Sequence, residues 1–226
     1  MQRRQMMIWA AMGGGMLAPT AMVWAAVTES DAASGIRLAL ERGAEAAIAT
    51  LGKTDGFMGN PAVKIELPGY LKDGAKLLKM TGQSKQVDDL LLAMNRAAEA
   101  AVPAARPLLL NAVKSMSVED ALQIVKGDDD SVTRFFAGKT REPLTAQFLP
   151  IVTHATEKVA LADKYNAVAG KGVGFGLVKA EDANIQQYVT KRALDGLFLM
   201  IAEEERKIRK DPLASGSALL KKVFGG

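Results

Sequence analysis

The chain has 226 residues, a formal charge of +4, no cysteine, 49% apolar residues and only 5% aromatic ones. Without cysteine it holds neither a disulfide nor a lipid-bearing N-terminal thiol, so the fold must stand on its core. Few aromatics disfavour a β-sandwich, whose strands lean on aromatic and β-branched side chains, and so small a charge is not the concentrated basic excess of a nucleic-acid binder.

Arg3 and Arg4 open the chain, and no charge follows from Gln5 to Val27. Residues 8–24 are apolar but interrupted by Gly13, Gly14, Gly15 and Pro19. That is short and broken for a spanning helix, which needs roughly 20 predominantly apolar residues. Val23 and Ala25 satisfy the small-x-small rule and place a cut between Ala25 and Ala26. Residues 1–25 therefore read as a cleavable export signal rather than a retained anchor, and the working protein is expected to be periplasmic. Arg3-Arg4 with Met6-Met7 also fits the twin-arginine pattern, but Gln2 in place of Ser or Thr favours the ordinary secretory route. Removal of residues 1–25 takes two positive charges and no negative one, leaving +2. About 200 residues remain, the size of one domain. That domain is expected to be all-α, a multi-helix bundle over residues 26–213 followed by an amphipathic tail at 214–226.

A first helix is predicted over residues 31–51. Its inner face is Ile36, Leu40, Ala44, Ala47, Ile48 and Leu51, with Arg37 and Glu41 four apart on the outer one and Gly52 as its stop. Gly56, Gly59, Asn60 and Pro61 forbid a helix next. Val63, Ile65 and Leu67 then alternate with Lys64 and Glu66, the pattern of a half-buried extended piece, either a lone strand or a minimal hairpin with residues near Phe57. Helix resumes over residues 71–80. The next begins at Ser84 as N-cap, buries Val87, Leu91, Met94, Ala98 and Ala101, and ends at Pro103. A short helix over 104–116 carries Pro107 in its first turn. Ser117 and Asp120 then stand at capping-box spacing for a helix that Gly127 stops. Helical patterns follow over 132–137 and, opened by Pro143, over 144–159, where Pro150 is expected to kink or divide the run. Tyr165 to Ala169 continues up to the glycine series at 170–176. The last helix spans 184–210. Its middle is apolar on nearly every side apart from Asp195 and Gly196, which marks it as the buried centre of the bundle. Leu219, Leu220, Val223 and Phe224 form the amphipathic tail.

Few of these residues carry chemistry. The series Gly170 to Gly176 lacks G-x-G-x-x-G spacing, and Gly138-Lys139-Thr140 lacks the first glycine of a P-loop, where Thr133 stands. Asp128, Asp129 and Asp130 lack the alternating ligands of a calcium loop and suit a helix start. His154 is the sole histidine, too little for a zinc site, and no G-x-S-x-G turn accompanies it. No cofactor and no metal is expected. The polar group Asn95, Arg96 and Glu99 stands out, because it shares a helix with small residues that let another helix come close; Arg96 and Glu99, three apart, read first as a structural ion pair that fixes helix register and otherwise as the polar end of a ligand cleft. Asp195 poses the same problem inside the most apolar helix and needs a donor, with Arg96 or Arg134 as candidates.

Three runs carry a resemblance: Gly52-Lys53-Thr54-Asp55-Gly56-Phe57, Met94-Asn95-Arg96-Ala97-Ala98-Glu99 and Ala193-Leu194-Asp195-Gly196-Leu197-Phe198. With Ser117 to Ala121, Thr133 to Phe136, the pair Phe148 and Pro150, Glu204-Glu205 and Ile208-Arg209-Lys210-Asp211-Pro212, they resemble the exported bacterial family catalogued as domain of unknown function 4197. The resemblance implies an α-helical protein of the Gram-negative envelope with no assigned activity and no catalytic residues to carry over.

The leading expectation is a non-catalytic binding or interaction module of the envelope. Asn95, Arg96, Glu99, Arg134 and Asp195 would form the polar part of its site, and Phe57 and Tyr70 the apolar part. An irregular stretch as long as 52–69 is often functional. It would line a cleft for a lipid-like or peptide ligand, contact an envelope protein, or simply cover the bundle. Two other readings stand beside it: an enzyme using the partly buried cluster Arg96, Glu99 and Asp195, with Glu99 and Asp195 as acid and base if they meet, and a membrane-surface protein using the tail with Lys221 and Lys222.

Overall fold

A computed structural model of the chain describes residues 29–69, 84–128, 131–157 and 184–211, with Lys72, Ala75, Met80, Gly82, Val159, Ala162, Asp163, Tyr165 and Asn166. The leader, Tyr70, most of the helix expected at 71–80, the glycine series and the tail lie outside the described residues. Six α-helices account for most of the rest: α1 (Glu29–Leu51), α2 (Ser84–Ala101), α3 (Arg106–Lys114), α4 (Val118–Lys126), α5 (Ser131–Thr156) and α6 (Ile185–Lys210). Among the described residues no strand is present, so the expected all-α bundle is what forms.

The expected inner face of α1 is buried at Ile36, Leu40, Ala44, Ala47 and Leu51, and Ile48 packs against the core from its edge. Arg37 does not reach along the helix to Glu41; it donates to the Met116 carbonyl at 2.7 Å and ties α1 to the turn before α4. In α2 the stripe is Val87, Leu90, Met94, Ala98 and Ala101, with Leu91 only half-buried. The α-helix ends at Ala101, just before Pro103, as expected, but the path does not leave helical geometry. The backbone tightens into a 3₁₀ turn (Val102–Ala105), with proline at its start, where no N–H is needed, and runs on into α3.

The capping box at α4 forms as its spacing predicts. Ser117 Oγ accepts from the Asp120 N–H at 3.0 Å, and the Asp120 carboxylate accepts from the Ser117 N–H at 3.0 Å. The Ser117 backbone N–H first, and then its hydroxyl, hold the Asp120 carboxyl below the usual aspartate range. A carboxyl depressed by folding adds stability above its unfolded pKa and loses it as pH falls through the folded value. Ser117→Ala is expected to cost about 1 kcal/mol at neutral pH. Asp120→Asn should be less stable than the parent at neutral pH, and urea unfolding should show that gap closing below about pH 4. A gap that stays constant on acidification would contradict the cap.

The largest departure from expectation is α5. The sequence predicts separate runs over 132–137 and 144–159, the second opened by Pro143 and kinked or divided at Pro150, yet one helix of 26 residues holds both prolines. Each proline removes the hydrogen bond to the carbonyl four residues back, those of Lys139 and Ala146. Both prolines and both of these residues are exposed, so water reaches the freed carbonyls. The opposite face is buried at Val132, Phe136, Leu144, Phe148 and Val152, and packing carries the helix past its two defects.

Asn184 caps α6 by accepting from the N–H groups of Gln186 and Gln187, while Asn166 Oδ1 accepts from that of Ile185 at 2.9 Å. Helices α1, α2 and α5 all pack on α6, which is thus the centre of the bundle. It is not buried all round. Arg192, Leu199 and Arg206 are exposed and Asp195 half-buried, so a strip of α6 faces water.

Candidate functional site

Residues 52–69 cross the bundle between α2 and α6 and are held by side chains from both. The Thr54-Asp55-Gly56 corner turns sharply. Asp55 has φ +65°, a left-handed conformation that aspartate tolerates better than most residues. Gly56 has no room for a side chain, because a Cβ would run into the Leu51 carbonyl. The corner points the N–H groups of Phe57 and Met58 at α2, where both donate to Glu99 Oε1, at 3.0 and 3.1 Å. Glu99 Oε2 accepts from Arg96 at 2.6 Å, and Arg96 also donates to Asp55 at 2.8 Å. The bond to Glu99 first, and then that to Asp55, raise the Arg96 pKa above its ordinary value.

One turn earlier on α2, about 6 Å along the axis, Asn95 grips the far end of the segment. Its amide accepts from the Ile65 N–H at 2.9 Å and donates to the Ile65 carbonyl at 3.0 Å. The extended piece at 64–68 thus has no partner strand and no hairpin with Phe57; a fully buried asparagine serves in a strand's place. From α6, Tyr188 donates to the Glu66 carbonyl at 2.9 Å. Gly196 lets the segment lie flat on α6, since a Cβ there would come within 2.9 Å of the Phe57 ring and 3.2 Å of Val63. The two runs Met94 to Glu99 and Ala193 to Phe198 are therefore the two supports of the third, Gly52 to Phe57.

Several expected site residues take other roles. Phe57 is fully buried in the core and offers no face to a ligand. Arg134 pairs with Asp128 at the start of α5. Asp195 is not a buried carboxylate, and its partner is neither Arg96 nor Arg134. It pairs with Arg141 of α5 at 2.9 Å, with both side chains about 40% exposed. The Arg141 guanidinium also lies 4.9 Å from the centre of the Phe198 ring. Glu99 and Asp195 sit on different helices and bond different partners, Glu99 the Phe57 and Met58 N–H groups and Arg96, Asp195 the Arg141 guanidinium. At this exposure the Arg141–Asp195 pair contributes little, and Asp195→Ala is expected to cost at most about 1 kcal/mol in chemical unfolding. A larger loss would show a buried role that the geometry denies. His154 is exposed and stands 3.8 Å from Glu157. No group of three metal-ligating side chains occurs among the described residues, and none of their helices is long and apolar enough to cross a membrane.

What the clamp leaves open is a groove. The segment 62–69 forms one wall, and α6 forms the other through the buried Tyr188 and its wet strip of Arg192, Asp195 and Leu199; the hollow measures about 450 Å³. A second hollow of about 420 Å³ between α5 and α6 shares Asp195 and Leu199 with the first and adds Arg141, Phe198 and Arg206. The Arg192 guanidinium lies 5.2 Å from the centre of the Tyr188 ring. The sequence reading missed this strip. Its signal was present as helical spacing, because residues 188, 192, 195, 199 and 206 fall on one side of a helix, but the apolar middle of α6 masked it.

No curated protein and no solved structure matches the chain. The family model described as "Protein of unknown function (DUF4197)" matches residues 26–225, a span that holds the clamp, the groove and all three runs that carried the resemblance. The chain therefore belongs to that family.

Proposed function

We propose that the chain is an exported, non-catalytic binding module of the bacterial envelope whose ligand lies in the groove between residues 62–69 and α6. The observation that carries this reading is the division of labour between polar groups. The buried ones, Asn95 and Glu99, are spent on backbone hydrogen bonds of the segment, while an open hollow of ligand size lies on the other side of that segment. A carboxylate that accepts two N–H donors and an arginine has a structural task, and the groove needs the wall that this task holds in place. Support for export comes from the leader and from a family match that starts at Ala26, the residue the expected cut would leave first.

Two measurements on protein taken from the envelope fraction test the reading. The intact mass should lack residues 1–25, and a full-length mass recovered with the cytoplasmic fraction would refute export. Native mass spectrometry should show a surplus mass that unfolding releases and that Leu199→Glu removes. A wild-type protein with no surplus mass, and no affinity for any lipid or peptide offered, would refute the binding module.

A further inference from the structure

We infer that the groove takes an anionic amphiphile, a molecule with an apolar chain and a carboxylate or phosphate head, and this rests on the binding reading above. Charge is the first ground. Lys64, Lys72, Arg141, Arg192 and Arg206 line the two hollows, against Glu66 and Asp195. The excess of three positive charges is larger than the +2 that all of residues 26–226 carry, so the rest of that span is slightly acidic and the cations are gathered here. Asp195 is already engaged by Arg141. Among the described residues, Lys64, Lys72 and Arg206 make no ion pair. Lys64, Lys72 and Arg192 share the first hollow, which seats the head.

The second ground is the apolar floor. Leu199 is 37% exposed, one of few large apolar side chains so placed, and it lies where the hollows join. Beyond it, Phe198 and Ala202 continue the floor. From residue 192 to residue 206 the strip runs about 21 Å along the helix, room for an extended chain.

The third ground sets a peptide aside. A peptide that adds itself to an extended edge needs backbone N–H and C=O groups left open along it. Here the Ile65 N–H and C=O are taken by Asn95, the Lys64 N–H by the Asn60 carbonyl, and the Glu66 C=O by Tyr188. Four backbone groups of the piece are thus taken, and what the groove offers is side-chain charge over an apolar floor.

The test is titration of the delipidated protein, as isolated from the envelope, with four probes below their micelle concentrations: dodecyl phosphate, dodecanoate, neutral dodecyl maltoside, and an acidic peptide of aspartate and leucine. Both anionic amphiphiles should bind at least about tenfold more tightly than the maltoside, the worth of one charge-assisted contact. Lys64→Gln with Arg192→Gln should remove that advantage, with the unfolding midpoint of the double variant measured to show that it is folded, since Arg192 also stacks on Tyr188. Leu199→Gln should weaken both anionic amphiphiles. Equal binding of anionic and neutral amphiphiles overturns the charge assignment and leaves the binding module standing. Preference for the peptide overturns the amphiphile and likewise leaves the module. A folded protein that binds none of the four overturns this inference; the module itself then falls only if no surplus mass co-purifies.

Discussion

Glu99→Ala is expected to destabilise the fold by about 2–4 kcal/mol, far more than a surface carboxylate would. Truncation strands two backbone N–H groups, of Phe57 and Met58, which donate to the same oxygen. The Phe57 group is buried and has no water to turn to, and the cost of an unmade hydrogen bond falls there. Arg96 matters less, because it is partly exposed and keeps Asp55. Glu99→Gln separates the contributions. An amide retains the acceptor for the two N–H groups but turns a donor toward Arg96, so it should cost less than alanine, about 1–3 kcal/mol. Denaturant unfolding of the two variants checks the order. A Glu99→Gln loss equal to that of Glu99→Ala would mean that the arginine, and not the backbone, is the partner that counts.

Asn95→Ala should cost a similar amount, about 2–4 kcal/mol, because it leaves both backbone groups of Ile65 without partners and opens a void in the core. Asn95→Asp is the sharper variant. The introduced carboxylate accepts from the Ile65 N–H but faces the carbonyls of Ile65 and Leu91, to which the asparagine donates at 3.0 and 2.8 Å. Folding must then raise its pKa, so stability relative to the parent should improve as pH falls through the raised value. Thermal unfolding at neutral and acidic pH reads this directly. A deficit that does not change with pH would show that Asn95 does not donate to those carbonyls.

How much of this was legible depended on where a residue's partner lay. The Ser117–Asp120 box could be read because both halves of the bond lie within three residues. Helix α1 could be read because its burial repeats with the helical period. Asn95 and Glu99 were visible as polar residues among alanines, a misfit that pointed to partners of some kind. The Arg96–Glu99 pair, three residues apart, could be read, but the partners across the fold could not, because these are backbone groups 30 to 42 residues away, and a backbone N–H leaves no mark in a sequence. Asp195 failed for another reason. It was judged buried from its apolar neighbours, but a side chain on one side of a helix answers to residues three and four away, and there Arg192 and the exposed Leu199 keep it wet. On local grounds Pro143 read as a helix start and Pro150 as a kink or division. They are tolerated because, seven apart, they fall on the same solvent side of a helix whose other side is packed with phenylalanine and leucine. The groove required the fold, since one wall is an irregular segment and the other a strip of a helix more than a hundred residues later.

The central claim is that α2 holds residues 52–69 by three backbone N–H groups, and site-resolved hydrogen exchange at Phe57, Met58 and Ile65 measures it most directly. In the parent protein the Phe57 and Ile65 amides should be protected like those of the helices. Glu99→Gln should leave Ile65 protected, while Asn95→Ala releases it. Free exchange at Phe57 and Ile65 in the intact protein would show that the segment only lies over the bundle, and the clamp, the groove wall and the binding site built on it would fall together.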